Sequence, residues 1–401
     1  MLLLFSRISK YDMKRLIFIV FTFLSSCVSH DTGFFEFDPR SLKESPVALT
    51  SICDSVYYIP LDNAITLGLI YDNLIYSGGL FYISSKDIGI LKYDKKGRFV
   101  GKIGNKGRGP GEYTFHHDFA VDRNNNTIYV HDRSDLIKVY SRSGNYIRNM
   151  PLHQTGAFID KIAFHNSNLF AFQALQMQES IYNWIIYDTL GNITGRKSKT
   201  IPSFYCGFSG GCGTYEFNNK LYYWNIYNDS VFTIAPDLSY ETSFILKPGE
   251  HRLPYSNFDP SALKEYLHIW KIFETQVYYT ILYTYKQGIF VLVDKEYGET
   301  YQIKLDSEKG IPGEFFKGGI INDFDNGMPF LPKAYYEEDG REYMLGLVYP
   351  FQIKALVSSD KFITTTTQHL EKQKYLKNMA DSLKETDNPV LMIVRLKNNH
   401  Y

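Results

Sequence analysis

The sequence carries no net charge: 43 basic residues balance 43 acidic ones, and only 21% of positions are charged. That balance excludes the one-sided electrostatics of a nucleic-acid-binding chain and the low hydrophobicity of a disordered one. The N-terminal apolar run Leu16-Ile17-Phe18-Ile19-Val20-Phe21-Thr22-Phe23 is too short to make a comfortable transmembrane helix. There is no HExxH or comparable histidine cluster and no loop of alternating Asp and Asn, so neither a zincin-type helix nor an EF-hand-type calcium loop is encoded. The stretch Ile103-Gly104-Asn105-Lys106-Gly107-Arg108-Gly109-Pro110-Gly111-Glu112-Tyr113 is glycine-rich, yet it lacks the Lys-Ser or Lys-Thr and the following helix that a phosphate cradle needs.

What the chain does have is aromatic residues, 33 Tyr and 29 Phe among them, and they recur. Flat amphipathic rings suit β-sheets packed face to face. Three segments align without gaps: Lys92-Tyr93-Asp94-Lys95-Lys96-Gly97, Val139-Tyr140-Ser141-Arg142-Ser143-Gly144 and Ile186-Tyr187-Asp188-Thr189-Leu190-Gly191. Their glycines are 47 residues apart twice over, as are Tyr82 and Tyr129. A further 47 residues beyond Tyr187 falls on Ile234, where another strand runs into the turn Ala235-Pro236-Asp237. A Gly closing a short polar turn is what a hairpin requires where the backbone takes φ > 0. Each unit reads as three or four short antiparallel strands, and a repeat of about 40–50 residues of that kind is a propeller blade.

Units at 69–104, 118–148, 160–196, 214–246, 275–306 and 342–396 give an all-β, six-bladed β-propeller. Two helical insertions are expected. One spans 260–274, with Asp259 as N-cap, Pro260 in the first turn and Leu263, Tyr266, Leu267, Trp270 and Phe273 on one face, capping one side of the ring. The other spans 367–384, with Leu376, Met379 and Leu383 on one face. The strands Val56–Leu61 and Pro389–Leu396 stand apart from complete units, and pairing them in the last blade would close the ring and remove an exposed edge.

At the N-terminus, Lys14-Arg15 precede the apolar run and Leu24-Ser25-Ser26-Cys27 follows it. A small-residue site ending in Cys resembles the lipobox of bacterial lipoproteins, in which that Cys becomes the lipidated first residue. The resemblance implies a signal peptide over 1–26, lipidation at Cys27 and a membrane anchor; an ordinary secretory signal with an incidental Cys is the alternative. Residues 27–45 then read as a flexible tether and 46–401 as the propeller. The combination of Tyr57-Tyr58-Ile59-Pro60-Leu61, the Ile103–Tyr113 loop, Asp118-Phe119-Ala120-Val121-Asp122 and Asp387-Asn388-Pro389-Val390-Leu391 resembles the six-bladed propeller lipoproteins of Bacteroides-type bacteria, cousins of the NHL-repeat propellers. The resemblance is strongest over 56–148 and weakest over 240–340, and it implies a cell-envelope protein without implying a reaction.

The glycine-rich loop is expected to be an inter-blade crossover, with Lys106, Arg108, Glu112 and Tyr113 as candidate ligand-binding residues at the propeller mouth. Metal sites on propellers can draw histidines from different blades, so spacing alone leaves His116, His117, His131, His153 and His165 open; the expectation is no metal and no cofactor. Asp72, Asp94, Asp122, Asp132 and Asp188 mostly adjoin Asn or Gly and read as turn-makers. Besides Cys27 the chain has Cys53, Cys206 and Cys212; Cys206 and Cys212 either close a small disulfide or stay reduced and packed. Trp184, Trp270 and Tyr222-Tyr223-Trp224 are either sugar-stacking platforms or packing between blades. No catalytic residue is singled out. The chain is read as a monomeric, envelope-anchored propeller that binds a small molecule, a glycan or an envelope protein, and no nucleic acid. The alternatives are a glycan- or peptide-processing hydrolase or lyase in the funnel and a recruiting subunit of an outer-membrane uptake complex.

Overall fold

The computed structural model describes residues 35–38, 42, 44–116, 118–133, 135–153, 156–207, 211–247, 251–306, 316–367 and 369–397. The expected signal peptide, Cys27 and His117 lie outside them. Six antiparallel sheets form a ring. Blade one is Ile70–Ser77, Leu80–Ser85, Gly89–Asp94 and Phe99–Ile103; blade two is Phe119–Asp122, Thr127–Arg133, Leu136–Tyr140 and Tyr146–Pro151. Blade three is Ile159–His165, Asn168–Gln173, Tyr182–Tyr187 and Ile193–Ser198; blade four is Cys212–Phe217, Lys220–Asn225, Ser230–Ile234 and Tyr240–Leu246, with Phe35–Phe37 as a fifth strand. Blade five is His268–Glu274, Tyr278–Tyr285, Gln287–Asp294 and Thr300–Leu305. Blade six is Ala334–Glu338, Arg341–Val348, Val390–Leu396 and, from the other end of the chain, Cys53–Pro60. The first-named strand of each blade touches that of the next all the way round, so these six surround a central channel.

The two chain ends meet as expected. Cys53–Pro60 runs antiparallel to Val390–Leu396, with Val56 opposite Val394 and Ile59 opposite Leu391. This closure leaves blade six without a missing strand.

The repeat glycines have a double reason to be glycine. Gly97, Gly144 and Gly191 have φ of 77°, 98° and 94°, a region an L side chain enters only at a cost. Each also lies against the outer strand of the preceding blade: an added Cβ would stand 2.2 Å from the Pro60 carbonyl oxygen, 2.0 Å from that of Lys102 and 2.8 Å from that of Pro151, respectively. At the first two, the glycine carbonyl accepts a backbone bond from the neighbouring blade, from Asp62 N at 2.8 Å and Gly104 N at 2.9 Å. The turn glycine is therefore a clip between blades. In blade four the same conformation falls on Leu238 at φ 68°, 47 residues after Gly191.

Between blades the space is filled by aromatic pairs. Tyr129 stacks on Phe164 at 4.7 Å between blades two and three, and Phe172 on Tyr223 at 4.5 Å between blades three and four. Trp184 is 1% exposed among Phe172, Tyr223, Phe232 and Tyr240. Tyr222, Tyr223 and Trp224 are likewise buried. These rings are packing, and none of them offers a sugar platform.

Where the repeat decays, a buried polar clasp joins the blades. Glu274 of blade five is 5% exposed and bonds Lys295 Nζ at 2.5 Å, while Tyr215 of blade four donates to it at 3.2 Å. Lys295 lies over the Phe217 and Tyr279 rings. Burial pulls the two groups towards their neutral forms, raising the Glu274 carboxyl and lowering the Lys295 ammonium against their mutual attraction.

The expected helix over 260–274 is corrected. Only Pro260–Glu265 is helical, as one 3-10 stretch, with the Asp259 side chain accepting from Ser261 N as its cap. His268–Glu274 is instead the innermost strand of blade five. A register shift between Ile269 and Lys271 breaks its period of two, which is why its apolar residues read as a helical face. The segment caps nothing; it is part of the ring. The second insertion is present as Leu370–Ser382, preceded by Pro350–Val357 and Asp360–Thr364, all between the second and third strands of blade six. Leu376 and Met379 are its buried face, and Lys354 Nζ donates to the carbonyls of Ala380 and Leu383, each at 2.9 Å, closing its C-terminal end. Among the described residues no helix is long and apolar enough to cross a membrane. Glu44 and Ser45, at the end of the expected tether, are attached to blade five: Ser45 N donates to the Gln302 carbonyl at 3.0 Å.

Candidate functional site: the central channel

The innermost strands of all six blades enclose a channel cavity of about 480 Å³. Side chains alternate along a strand, so only every second position of each inner strand reaches it. At or before the midpoints of these strands sit Lys161 of blade three, Lys271 of blade five and Lys333 just ahead of blade six, with Asp118 ahead of blade two and Asn73 in blade one.

Asp118 is the organiser of that end. It is 2% exposed; its Oδ1 accepts from Asn73 Nδ2 at 3.1 Å and faces Lys161 Nζ at 3.2 Å, and its Oδ2 accepts from the backbone N–H of Ile162. One carboxylate thus ties blades one, two and three together and positions a lysine. Lys271 Nζ donates to the backbone carbonyl of Lys333 at 2.5 Å, tying blade five to the segment that leads into blade six.

Carboxylates stand towards the opposite end. Glu216 of blade four accepts from His165 Nδ1 at 3.1 Å and pairs with Arg123 Nε at 3.3 Å, and Glu337 also lines this end. His165 is 4% exposed, and its Nε2 has no hydrogen-bond partner among the described residues. Among the described residues of the lining, Lys161, Lys271 and Lys333 stand towards one end and Glu216 and Glu337 towards the other.

The residues nominated from the sequence lie elsewhere. None of Lys106, Arg108, Glu112 and Tyr113 lines the channel. Tyr113 is fully buried, its hydroxyl donating to the Ile103 carbonyl at 2.9 Å and accepting from Ile90 N at 3.0 Å; burial pushes this phenol up to about 12. Glu112 turns back to accept from Gly109 N at 2.8 Å, and Lys106 Nζ reaches the Lys86 carbonyl at 3.0 Å. Arg108 is exposed. The loop is a crossover between blades one and two, pinned by Asp132, whose Oδ1 accepts from Thr114 N at 2.6 Å and Phe115 N at 3.1 Å.

Asp94, Asp122 and Asp188 cap their turns as expected, each Oδ1 accepting from backbone N–H groups two or more residues ahead. Cys53, Cys206 and Cys212 are free thiols. Burial pushes the Cys53 thiol up to about 12, aided by the Asp54 and Asp323 carboxylates, which makes it unreactive. His116 binds the Ser85 carbonyl at 2.7 Å, and burial lowers His268 to about 4. Among the described residues no group of three His, Cys, Asp or Glu side chains is arranged to hold a metal.

A family model described as "Domain of unknown function (DUF4934)" matches residues 34–395. The chain belongs to that family. A Bacteroides fragilis crystal structure, of a protein to which export is attributed in name only, is similar in fold to this DUF4934 chain: TM-score 0.64 and 17% identity, over 90% of this chain and 99% of that one. A member of the DUF4221 family from Bacteroides vulgatus matches at TM-score 0.48 and 14% identity, over 89% of this chain and all of that one. Virginiamycin B lyase from Staphylococcus aureus matches at TM-score 0.39 and 9% identity, over 72% of this chain and 81% of that one. At these identities the first likeness speaks for the fold alone, and the other two carry no argument. No curated protein matches the sequence.

Proposed function

We propose that this chain is a monomeric, cell-envelope propeller of the NHL-like kind, anchored by lipid at Cys27, whose central channel binds a small ligand bearing a carboxylate, sulfate or phosphate, such as an acidic glycan. The observation that carries the ligand class is the convergence of Lys161, Lys271 and Lys333 on one end of a channel of about 480 Å³. Lysines from three separate segments of the ring line one cavity, and an anion there would relieve the repulsion of their like charges. An anionic group there would exchange charge-assisted hydrogen bonds for water at low cost, because Asp118 and the Lys333 carbonyl already hold the side chains of Lys161 and Lys271.

A thermal-shift screen tests this. Acidic mono- and disaccharides are expected to raise the Tm of the purified protein by mass action, and neutral sugars of the same size to leave it unchanged. Equal shifts with neutral and acidic sugars, or none with either, would remove the proposal. Lipid anchoring rests on the sequence Leu24-Ser25-Ser26-Cys27. Cys27→Ser is expected to abolish incorporation of a labelled fatty acid and release the protein from membranes; unchanged labelling would refute the anchor.

A second reading, an enzyme acting on the same ligand, is favoured by one observation: His165, oriented by Glu216, lines the channel with Nε2 unpaired among the described residues. A carboxylate-oriented imidazole is a general-base arrangement. Turnover lost in His165→Gln with binding retained would support it, and no turnover of any bound ligand would leave binding as the function.

A further inference from the structure

A second cavity, of about 430 Å³, opens away from the channel, in the cleft between blade six and blade one. Its walls are aromatic: Tyr57 from the closing strand, Tyr336 and Tyr343 from blade six, and Tyr375 from the helix Leu370–Ser382. Tyr336 and Tyr343 stack at 4.8 Å and 7°, and Tyr76 of blade one lies 4.1 Å from Tyr336, so the walls are held in place by their own packing.

Asp325 belongs to the cleft lining and is fully buried. Its Oδ1 is satisfied, accepting from Tyr58 OH at 3.1 Å and Gly327 N at 2.9 Å. Its Oδ2 is buried and has no hydrogen-bond partner among the described residues. An unmet buried acceptor of this kind costs about 1–3 kcal/mol, so it needs a reason. Gly327 leaves room for the arrangement, since a Cβ there would stand 2.3 Å from Tyr58 OH.

The rest of the charge points the same way. The lining contributes two cations, Lys95 and Lys372, against three carboxylates, Asp325, Glu338 and Glu371. Lys95 is engaged by Glu338 at 2.7 Å, and Lys372 Nζ sits over the Tyr57 ring at 5.0 Å. That contact shows a ring of this cleft already holding an ammonium on its face. Burial holds the Asp325 carboxyl above its ordinary range, a shift that a cation beside Oδ2 would reverse.

We propose that this cleft is a second ligand site, independent of the channel, which takes a small primary amine with a flat apolar body, the ammonium donating to Asp325 Oδ2 and the body lying against the tyrosine faces. An anion would meet a net negative lining. A neutral ligand would supply no counter-charge to Asp325, and the aromatic faces favour a cation over it.

The test is calorimetric titration of the whole protein with 2-phenylethylamine and, as its uncharged counterpart, 2-phenylethanol. The amine is expected to bind about tenfold or more tightly than the alcohol, the difference one charge-assisted bond supplies. Asp325→Asn should remove that preference. Glu371→Lys, at an exposed rim position that does not threaten folding, should weaken the amine several-fold, about what one near-surface charge reversal gives. The channel double variant Lys271→Met/Lys333→Met should leave amine binding unchanged. Equal affinity for amine and alcohol, no binding of the amine at millimolar concentration, or an affinity that both cleft variants leave unaltered would overturn the proposal. Loss of amine binding in the channel variant would overturn it too.

Discussion

A chain that ends at Asn388 is expected to lose cooperative unfolding altogether. The deleted strand Val390–Leu396 is the third of blade six, bonded on one side to Arg341–Val348 and on the other to Cys53–Pro60. Val390, Leu391, Met392, Ile393, Val394 and Leu396 are all at most 4% exposed. At about 1.5–3 kcal/mol for each buried side chain, their loss is on the order of 10 kcal/mol. The whole net stability of a domain is about 5–15 kcal/mol, so the loss is comparable to all of it. The deletion also bares two sheet edges, which invite association. Circular dichroism melts and limited proteolysis read the outcome. A truncated chain that melts cooperatively within a few degrees of the full one would mean that the ring does not depend on its closure.

The second large effect is expected at Gly144. Changing it to Ala forces a side chain to φ 98° and sets its Cβ 2.0 Å from the Lys102 carbonyl oxygen, a backbone atom that cannot rotate away. Left-handed strain costs about 1–2 kcal/mol. Displacing the neighbouring blade adds about 1–3 kcal/mol, and weakening the bond from Gly104 N to the Gly144 carbonyl adds about 1 kcal/mol. The total is about 3 kcal/mol or more. Gly298 provides the control, being a turn glycine of blade five at φ 68° with nothing within 4 Å of an added Cβ. Gly298→Ala should therefore cost only the strain, about 1–2 kcal/mol. Urea midpoints for the two variants separate the terms; equal costs would show that the clip between blades contributes nothing.

The same glycines explain why much of the fold was legible. A positive φ and an impossible Cβ contact leave only Gly at 97, 144 and 191, so the repeat shows in the sequence wherever blades are joined by that clip. Beyond Gly191 the signal fades because Leu238 accepts the left-handed conformation and because Glu274, Lys295 and Tyr215 take over the joining of blades. A polar clasp has no fixed spacing. The misreading of 260–274 has a local cause: the shift at Ile269/Lys271 disrupts strand alternation just where Asp259 and Pro260 announce a helix.

The site was less legible than the fold. Asp118, Lys161, Lys271 and Lys333 are far apart in sequence, and only ring closure brings the first strands of all six units around one channel. No shared spacing links these four residues in the sequence. Glycine density pointed to the 104–113 loop, where Glu112 accepts from Gly109, Lys106 reaches the Lys86 carbonyl and Arg108 is exposed. Asp325 of the cleft lies in a crossover segment with no repeat signature at all.

The channel is most directly tested by calorimetric titration of digalacturonate into the wild-type protein and the Lys271→Met/Lys333→Met variant at low salt. Two charge-assisted contacts of about 1.5–3 kcal/mol each predict a loss in affinity of about a hundredfold or more. The variant should still unfold cooperatively, with a Tm lowered by the loss of the bond from Lys271 to the Lys333 carbonyl. Digalacturonate binding equally well to both proteins would place the ligand outside the lysine end of the channel and contradict the central claim.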